Sequence, residues 1–510
     1  MPYRLSKTRF LAGLQCHKYL WWREKDPRAP ELKADPATQL LFDQGRAVGE
    51  RACEEFPGGF LVDLPHWQDV ARVRATRDAM LSGAPAVYEA TFVEDGVFVA
   101  VDILARGDSG GWRLIEVKSS LSLKDVHLPD AAVQAWVLGR AGIPVEAVEV
   151  MHLNRDCVYP HLGNLFVRED VAEQVRDWLP RVPSLVAAQK EVLDGPLPSI
   201  EVGPQCKSPY ECPFLARCWP EPTQHGLHTL YYGGKKRDQL SGMGVETLAE
   251  IPYGFPLSAI QERQRRAVRS GEVTVEGDLA RTLDGIFGPG PGRGGRVARH
   301  APIAFLDFET VSPFIPRWDG CSPMTQLPVQ FSCHLVDADG SLSHTEWIAS
   351  GPEDPRPECA ERLVELLADV PVIVAYNAGF EKRCLELLAR ALGDSGDVGQ
   401  GIAASLLEIA DRLADLLPVV RNHVYHPDFN GSFGLKAVLP ALVPDLSYDD
   451  LEIAGGQVAS VELFNLMFRG DGMAEGEGET LRARLLAYCK LDTLALVRLK
   501  EVLEGWVPRI

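Results

Sequence analysis

The chain has 510 residues, of which 46% are hydrophobic and 24% charged, and its formal net charge is -19 at pH 7. This length exceeds what one hydrophobic core supports and predicts two or three domains, and no apolar run reaches the roughly 20 residues needed to span a bilayer. The negative charge argues against binding duplex DNA by bulk electrostatics, but it does not exclude a metal nuclease whose acidic sites contribute to that charge.

The N-terminal segment, MPYRLSKTRFLAGLQCHKYLWW, lacks the long apolar core and cleavage site of a signal peptide, so we expect a cytoplasmic protein. Apolar residues at near-helical spacing, with Ser6 as a cap, predict a helix that contains Cys16 near its end. Further helices are predicted at 38–56, 67–82 and 129–140.

Short β-branched and aromatic runs predict strands at 88–92, 97–104, 112–117 and 148–153, and strands flanked by helices indicate an α/β domain. Glu116 and Lys118 stand two apart and therefore share a face. A hairpin through 106–111 would bring Asp102 beside them, forming a site for a hard cation with a donor for an activated water or phosphate. The alternative is a surface Glu/Lys pair.

Four of the eleven cysteines suggest a metal or cluster site. Cys206, Cys212 and Cys218 recur every six residues in a loop rich in proline and aromatic residues, and Cys16 is the best remote candidate for the fourth ligand. The ligand count alone does not separate zinc from an iron-sulfur cluster. The other seven cysteines occur singly, and we expect most of them in the core.

The motifs VDILA and IEVKSS, Gln134 in AAVQAWVL, and the four cysteines resemble the RecB-type PD-(D/E)XK nucleases that carry a [4Fe-4S] cluster, including the nuclease of CRISPR spacer acquisition. The resemblance implies a restriction-endonuclease-like fold for residues 1–222. It also implies metal binding by Asp102 and Glu116, catalysis by Lys118 and an orienting role for Gln134.

Two further acidic positions follow from the same resemblance. Glu89 matches an upstream acidic position and is expected to bind the metal. Relatives usually place a metal-binding histidine in the helix after a glycine, but GRAVGERACEEF contains none. Glu50 or Glu54 is the expected substitute.

Residues 223–286 are predicted to form a helical connector. LSGMGVETLAEIP, with Gly242 and Gly244, resembles a helix-hairpin-helix, which would contact phosphates through backbone amides; a plain helical connector is the alternative. QERQRRAVRS supplies a basic stripe that could follow a DNA backbone or form a solvated helix face. The stripe consists of Arg263, Arg265, Arg266 and Arg269. The glycine- and proline-rich residues 287–300 are predicted to be a linker.

A second acidic set is predicted in residues 301–510. Asp307 and Glu309 share one face of a buried strand in APIAFLDFET, and Glu381 lies at the start of a helix after a strand at 370–375. Tyr488 and Asp492 lie one turn apart on a C-terminal helix. Four such acids can hold two Mg²⁺ or Mn²⁺ ions about 4 Å apart for in-line phosphoryl displacement.

These residues resemble the DEDD exonucleases of the subtype with a Tyr four residues before the last Asp. The resemblance implies a ribonuclease H-like fold, metal binding by the four acids and an orienting role for Tyr488 towards the attacking water. Glu381 departs from the usual Asp. Asp415 matches a less clearly catalytic position, and Lys436 a position that often touches single-stranded substrate.

The arrangement of both domains resembles a bacterial family of uncharacterised fusions. We therefore predict a metal-dependent nuclease that hydrolyses phosphodiester bonds in DNA, an exonuclease that trims single strands or DNA ends, with no membrane partner. One alternative is a nucleic-acid-binding scaffold in which one or both sites are inactive. A second keeps one enzyme and makes the N-terminal half a structural clamp.

Overall fold

A computed structural model describes residues 5–219, 223–288, 301–393, 396–448, 451–453, 455–469 and 472–506. The chain divides into two compact units. Unit 1 comprises Met1–Glu221 with Pro313–Thr325, and unit 2 comprises Pro222–Ser312 with Gln326–Ile510. Both contain helices and strands, so the predicted mixed α/β class is confirmed. In the described part of the chain, no helix is long and apolar enough to cross a membrane.

Unit 1 is built on one mixed sheet. Its strands are β1 (Leu5–Ser6), β2 (Phe60–Leu61), β3 (Ala86–Glu94), β4 (Val97–Arg106), β5 (Trp112–Lys118), β6 (Val145–Leu153) and β7 (Phe166–Asp170). Its helices are α1 (Lys7–Gln15), α2 (His17–Lys25), α3 (Pro36–Cys53), α4 (Asp69–Leu81), α5 (His127–Arg140), α6 (Ala172–Trp178), α7 (Val182–Asp194) and α8 (Leu215–Cys218).

The strand order in unit 1 is β2-β3-β4-β5-β6-β7, with β1 paired to β4. β4 and β5 form the predicted antiparallel hairpin, and β5 runs parallel to β6 because α5 provides the crossover. Valine and leucine side chains from β4, β5 and α5 form the main core, which includes Val101, Leu114 and Val133. The hairpin therefore lies in the middle of the sheet, where its charged residues are held by packed neighbours.

Unit 2 contains a five-stranded sheet and a two-stranded sheet. Its strands are β8 (Thr274–Val275), β9 (Ile303–Val311), β10 (Leu327–Val336), β11 (Leu342–Ile348), β12 (Val372–Ala375), β13 (Leu413–Asp415) and β14 (Val424–Tyr425). Its helices are α9 (Gly234–Gly242), α10 (Ala259–Ser270), α11 (Leu279–Phe287), α12 (Arg356–Leu367), α13 (Gly379–Leu392), α14 (Gly396–Asp411), α15 (Leu416–His423), α16 (Leu435–Leu442), α17 (Gly456–Phe468) and α18 (Glu477–Gly505).

The five-stranded sheet has the order β11-β10-β9-β12-β13, and β8 and β14 form the two-stranded sheet. β9 is central, with β10 antiparallel on one side and β12 parallel on the other. Its aliphatic and aromatic residues are almost wholly buried, as expected for a strand covered on both faces. The central position of β9 fixes Asp307 and Glu309 at the heart of the unit.

The arginines of the predicted basic stripe lie on α10, but they are used inside unit 2, so neither the DNA-following interpretation nor the solvated face is correct for the whole set. Arg263 and Arg265 are buried. Arg263 donates to Glu276 at 2.9 Å and to the carbonyls of Arg421 and Asn422. Arg269 donates to the carbonyl oxygen of Ile251. Their guanidinium groups satisfy carbonyls that would otherwise be buried without partners.

The structure also bears on the predicted position of Cys16, the predicted helix-hairpin-helix and the predicted linker. Cys16 does not lie late in a helix: it is an extended residue between α1 and α2, while Ser6 caps α1 as predicted. After α9, Gly244 adopts a positive φ of 78°. A three-residue 3₁₀ turn follows it instead of the second helix of a helix-hairpin-helix. Of the predicted linker 287–300, residues 289–300 lie outside the described residues.

A stability measurement tests the role of Arg263. Arg263→Met should lower the free energy of unfolding by about 2–4 kcal/mol, because it removes a buried guanidinium that donates to Glu276 and to the carbonyl oxygens of Arg421 and Asn422. Arg266→Met is the matched control: Arg266 pairs with the same Glu276, but its side chain is 49% exposed, so its loss should cost about 1 kcal/mol or less. Equal losses in urea denaturation would contradict this account.

Candidate functional site

The first part of the site lies on β9. Asp307 and Glu309 alternate with the buried Phe308, so their side chains share one face of the sheet. On the neighbouring strand β10, Ser332 lies opposite Asp307 and Gln330 opposite Glu309. Paired residues of an antiparallel ladder point to the same face, so these two polar side chains stand beside the acids.

The two polar side chains of β10 attach α18 to this face. The amide nitrogen of Gln330 donates to the carbonyl oxygen of Leu485 at 2.8 Å, and the hydroxyl oxygens of Ser332 and Thr493 lie 2.8 Å apart. Two turns of helix separate these anchors. The intervening residues Tyr488 and Asp492 are thereby held over the acidic face.

The acids come together as the sequence predicts. Oxygen atoms of Asp307, Glu309 and Asp492 all lie within 4.8 Å of one another. Glu381, in the first turn of α13, lines the same cavity of about 770 Å³. Its Oε2 atom is buried without a hydrogen-bond partner among the described residues. A buried carboxylate oxygen without a donor needs either a proton or a cation.

The electrostatics of the cluster reflect its crowding. Burial, reinforced by repulsion from Asp492, raises the pKa of Glu309 to about 8. Burial also raises the pKa of Glu381 to about 8. The pKa of Asp307 is raised well above its usual value by burial and then by the neighbouring acids. Carboxyl groups with raised pKa values stay protonated to higher pH unless a bound cation replaces the proton.

Three further residues lie beside the acidic cluster, and only Lys436, which also lines the cavity, was assigned a role from the sequence. Its ammonium lies 5.1 Å from the centre of the Tyr488 ring and 5.4 Å from that of Tyr448. The hydroxyl of Tyr448 donates to Asp492, and the thiol of Cys489 donates to Asp307 at 3.3 Å. Tyr448 lies 44 residues before Asp492, in a segment with no recognisable pattern, so nothing in the sequence pointed to it.

The residues fit a divalent metal. Carboxylates are the ligands that Mg²⁺ and Mn²⁺ prefer, and the cluster offers several at close range together with one unpartnered oxygen. Asp415 has a different role: its Oδ1 accepts from the backbone amides of Asn377 and Leu417 at 2.9 Å each, so it caps α15.

Unit 1 holds the other predicted acidic edge. β4 and β5 are paired as far as Ile103 opposite Ile115, and Asp102 then accepts a hydrogen bond from the backbone amide of Val117 at 2.7 Å. Glu116 is 1% exposed, which excludes the surface Glu/Lys pair considered from the sequence. Burial and repulsion from Glu116 raise the pKa of Asp102 to about 7.

Glu116 is surrounded by donors. Lys118 donates to Oε1 at 2.6 Å and Gln134 to Oε2 at 2.6 Å, as their shared neighbourhood in the sequence motif suggests. Lys7, which sequence reasoning missed, donates to both oxygens at 2.8 and 3.1 Å. Although burial opposes its ionisation, Lys118 and Lys7 hold the pKa of Glu116 well below its usual range. Asp130 also contacts both lysines.

The cavities beside Asp102 contain most of the remaining candidates. Glu89 and Glu50 line one of about 540 Å³, whereas Glu54 is exposed and pairs with Arg51. Glu89 accepts from the buried Arg72 at 3.1 Å. His66 lines a second cavity of about 570 Å³ with Glu89 and Asp102, so a histidine reaches this region from the loop before α4 and not from α3.

The four cysteines are brought near one another. Burial, and after it repulsion from the nearby Cys16, Cys206 and Cys218, raises the pKa of the Cys212 thiol to about 11. Gln15 ties the end of α1 to the loop by donating to the carbonyls of Gln205 and Tyr210 at 2.9 and 2.7 Å. Phe214 packs against Tyr19 and Trp22. The remaining cysteines are buried except Cys53, which is partly buried.

The spacing of these thiols bears on the choice of metal. Across the described residues, only the Asp307, Glu309 and Asp492 set has ligand atoms within 4.8 Å of one another. A zinc ion with Zn–S bonds of about 2.3 Å would hold thiolates about 3.8 Å apart. Among the described residues, no three of the four thiols lie within 4.8 Å of one another, and their number and soft donor type fit either a zinc ion or an iron-sulfur cluster.

The raised pKa values of unit 2 predict a pH-dependent effect of metal. Without metal, protonation of Glu309 and Glu381 is favoured by folding, so the stability of unit 2 should fall as pH rises from their usual value of 4.5 towards about 8. Mn²⁺ at a fixed concentration of about 100 times its Kd at pH 8 should raise the free energy of unfolding by about 2.7 kcal/mol near pH 8. The same concentration should raise it much less near pH 5.5, where protons compete for the carboxylates.

Differential scanning calorimetry of the full chain measures this effect. Asp492→Asn, which removes a ligand, should abolish the Mn²⁺-dependent rise in Tm. Asp411→Asn is the control, because Asp411 is an acid of α14 paired with Lys382 and does not line the cavity. A rise of the same size at both pH values would contradict the assignment of these carboxylates.

Comparison with known proteins adds a partial match. A family model described as "Domain of unknown function (DUF2779)" matches residues 304–434, which include Asp307, Glu309 and Glu381 but end before Tyr488 and Asp492. The chain matches no curated protein. A solved structure described as "Crystal structure of SSO0001" is 13% identical, with 42% of this chain and 87% of that chain covered and a TM-score of 0.22.

Proposed function

We propose that the chain is a metal-dependent nuclease that hydrolyses phosphodiester bonds in DNA, with its main active site in unit 2. The observation that carries the proposal is the convergence of Asp307, Glu309 and Asp492 within 4.8 Å, beside the unpartnered oxygen of Glu381. A strand, a helix start and a distant helix supply these acids, as the DEDD resemblance expects.

Each residue of the cavity has a separate task. Asp307, Glu309, Glu381 and Asp492 would hold the Mg²⁺ or Mn²⁺ ions, which supply Lewis-acid stabilisation of the attacking and leaving oxygens when bound. Tyr448 orients Asp492 by donating to it. Tyr488 lines the cavity one turn before Asp492, where its hydroxyl can orient a water molecule. Lys436 places positive charge beside Glu309, where a phosphate would lie.

The lining of the cavity favours single-stranded DNA or a frayed end. The partly exposed rings of Tyr231, Tyr376 and Phe380 line it together with the carboxylates, and the buried Phe433 packs against Tyr231. Aromatic rings stack on unpaired bases without regard to sequence, which is the usual way of binding single strands. A paired base cannot offer its face to such rings, so the cavity suits a substrate whose terminal bases are unpaired.

Unit 1 supports a more limited proposal. Its hairpin, the buried Glu116 with Lys118 and Gln134, and the grouped cysteines are the features expected of a RecB-like domain with a [4Fe-4S] cluster. We assign the cluster a structural role, because Cys16 joins the first two helices while the other three cysteines lie between residues 206 and 218, in and before α8. It would thus link two segments of unit 1 that are far apart in the sequence.

The alternative, a nucleic-acid-binding scaffold in which one or both sites are inactive, draws its structural support from unit 1. Every carboxylate oxygen of Glu116 is already bound by protein donors, which favours a unit that binds nucleic acid without cutting it. Such a unit would contribute binding without adding a second cut. If unit 1 alone is inactive, all hydrolysis depends on unit 2, and if both sites are inactive, the chain binds nucleic acid without cutting it.

Nuclease assays with end-labelled single- and double-stranded DNA and RNA and Mn²⁺ test the proposal. Asp492→Asn should reduce the rate by at least about 10²-fold, because removing a ligand displaces the metal that stabilises the transition state. Asp411→Asn should leave the rate unchanged. Binding without cleavage by the wild-type chain would support the scaffold alternative, and cleavage unaffected by Asp492→Asn would remove unit 2 as the active site.

The cluster is tested by absorbance and metal analysis of anaerobically purified protein. We expect a broad absorbance band at about 400 nm that dithionite bleaches, with iron and sulfide in equal amounts. Cys218→Ser should abolish the band, whereas Cys53→Ser, which changes a cysteine outside the group, should retain it. A colourless, zinc-loaded wild-type protein would show that the cysteines form a zinc site.

A further inference from the structure

The environment of Glu116 leaves no position for a metal. A carboxylate offers about four lone-pair sites. Lys7 and Lys118 occupy the two on Oε1, at 2.8 and 2.6 Å, and Lys7 and Gln134 occupy the two on Oε2, at 3.1 and 2.6 Å. Glu116 as arranged therefore does not fit a divalent cation, in contrast to Glu381 in unit 2.

Two of the three donors are not easily withdrawn. Gln134 is fully buried, and its amide nitrogen is also held by the carbonyl oxygen of Asp130 at 3.1 Å. Lys118 follows Glu116 on the same strand and also pairs with the buried Asp130. Moving Gln134 would leave buried polar atoms without partners, and moving Lys118 would break its second ion pair, with Asp130.

Lys7 differs from both in its position. It is the first residue of α1, and it lines the cavity of about 570 Å³ that also contains Asp102, Glu89 and His66, whereas Lys118, whose side chain is equally exposed at 22%, does not line that cavity. Its ammonium lies 3.5 Å from Asp130 as well. It thus carries a positive charge to the edge of Glu116 that faces the cavity, which is the side from which a metal would approach.

We propose that Lys7 determines the metal occupancy of unit 1: its ammonium takes the place on Glu116 that a divalent cation needs, so unit 1 binds metal only when Lys7 is withdrawn. The inference goes beyond the proposed function and rests on the resemblance to RecB-type nucleases only for the role of Glu116 as a metal ligand. It accounts for a site that carries the acids of a nuclease but is neutralised by the lysines of the chain itself.

Manganese binding, measured by isothermal titration calorimetry and by electron paramagnetic resonance, tests the proposal in full-length protein. All variants carry Asp492→Asn, so that unit 2 contributes no tight site. With Lys7 intact we expect no tight Mn²⁺ site. Lys7→Met should create one site per chain that binds at least about ten-fold more tightly, because a competing charge has been removed. Adding Glu116→Gln to Lys7→Met should abolish that site.

Two controls separate charge from folding. Lys7→Arg keeps a cation at this position and should create no site. Lys190→Met removes a partly buried lysine whose ammonium donates to the carbonyl oxygen of Asp95, and this change should also create no Mn²⁺ site. If Lys7→Met does not fold by circular dichroism, Lys7→Gln serves in its place.

Two results would overturn the proposal. One is a Mn²⁺ site in the Asp492→Asn protein, dependent on Glu116, that is equally tight with and without Lys7. The other is a folded Lys7→Met or Lys7→Gln protein that gains no site. Neither result concerns cleavage at unit 2, which is measured by the effect of Asp492→Asn on the nuclease rate. Failure of this inference and failure of the proposed function are therefore distinguishable.

Discussion

The close approach of several largely buried carboxyl groups is the constraint on which the arrangement of unit 2 depends. Three carboxyl groups within 4.8 Å cannot all ionise at low cost, which is why burial and their mutual repulsion raise the pKa values of Asp307 and Glu309. A fold that keeps them together must compensate elsewhere. Here the sheet is fully packed, and α18 is tied to β10 through Gln330 and Ser332. That rigidity prevents the acids from moving apart, and it makes a divalent cation the natural partner.

Unit 1 meets a similar constraint differently. Its buried carboxylates, Asp102, Glu116 and Asp130, are accompanied by two lysines, so the positive charge comes from the chain itself. Hydrogen bonds from Lys7, Lys118 and Gln134 keep Glu116 ionised despite its burial. In unit 1 two lysines donate directly to Glu116, whereas in unit 2 the pKa values of Glu309 and Asp492 stay raised although Lys436 lies near them. This difference is the physical reason for placing the main catalytic site in unit 2.

Local patterns predicted much of this arrangement. The spacing of Asp307 and Glu309 on a strand, and of Tyr488 and Asp492 on a helix, was sufficient to place each pair on one face. Lys7 could not be found in this way, because 109 residues separate it from Glu116. The arginines of α10 show the converse error: their clustering suggested a surface stripe, but the carbonyls that they satisfy belong to other segments, such as Arg421 and Asn422. Tertiary partners of this kind leave no local signal.

The central claim is that the acids of unit 2 form the metal centre. Anomalous diffraction at the manganese edge, from crystals of the full chain soaked in Mn²⁺ near pH 8, tests it most directly. We predict an anomalous peak in contact with Asp307, Glu309 and Asp492, with a second ion beside Glu381 at about 4 Å from the first. A strong peak at Glu116 with none at Asp492, or no peak in the unit 2 cavity at saturating Mn²⁺, would contradict the account.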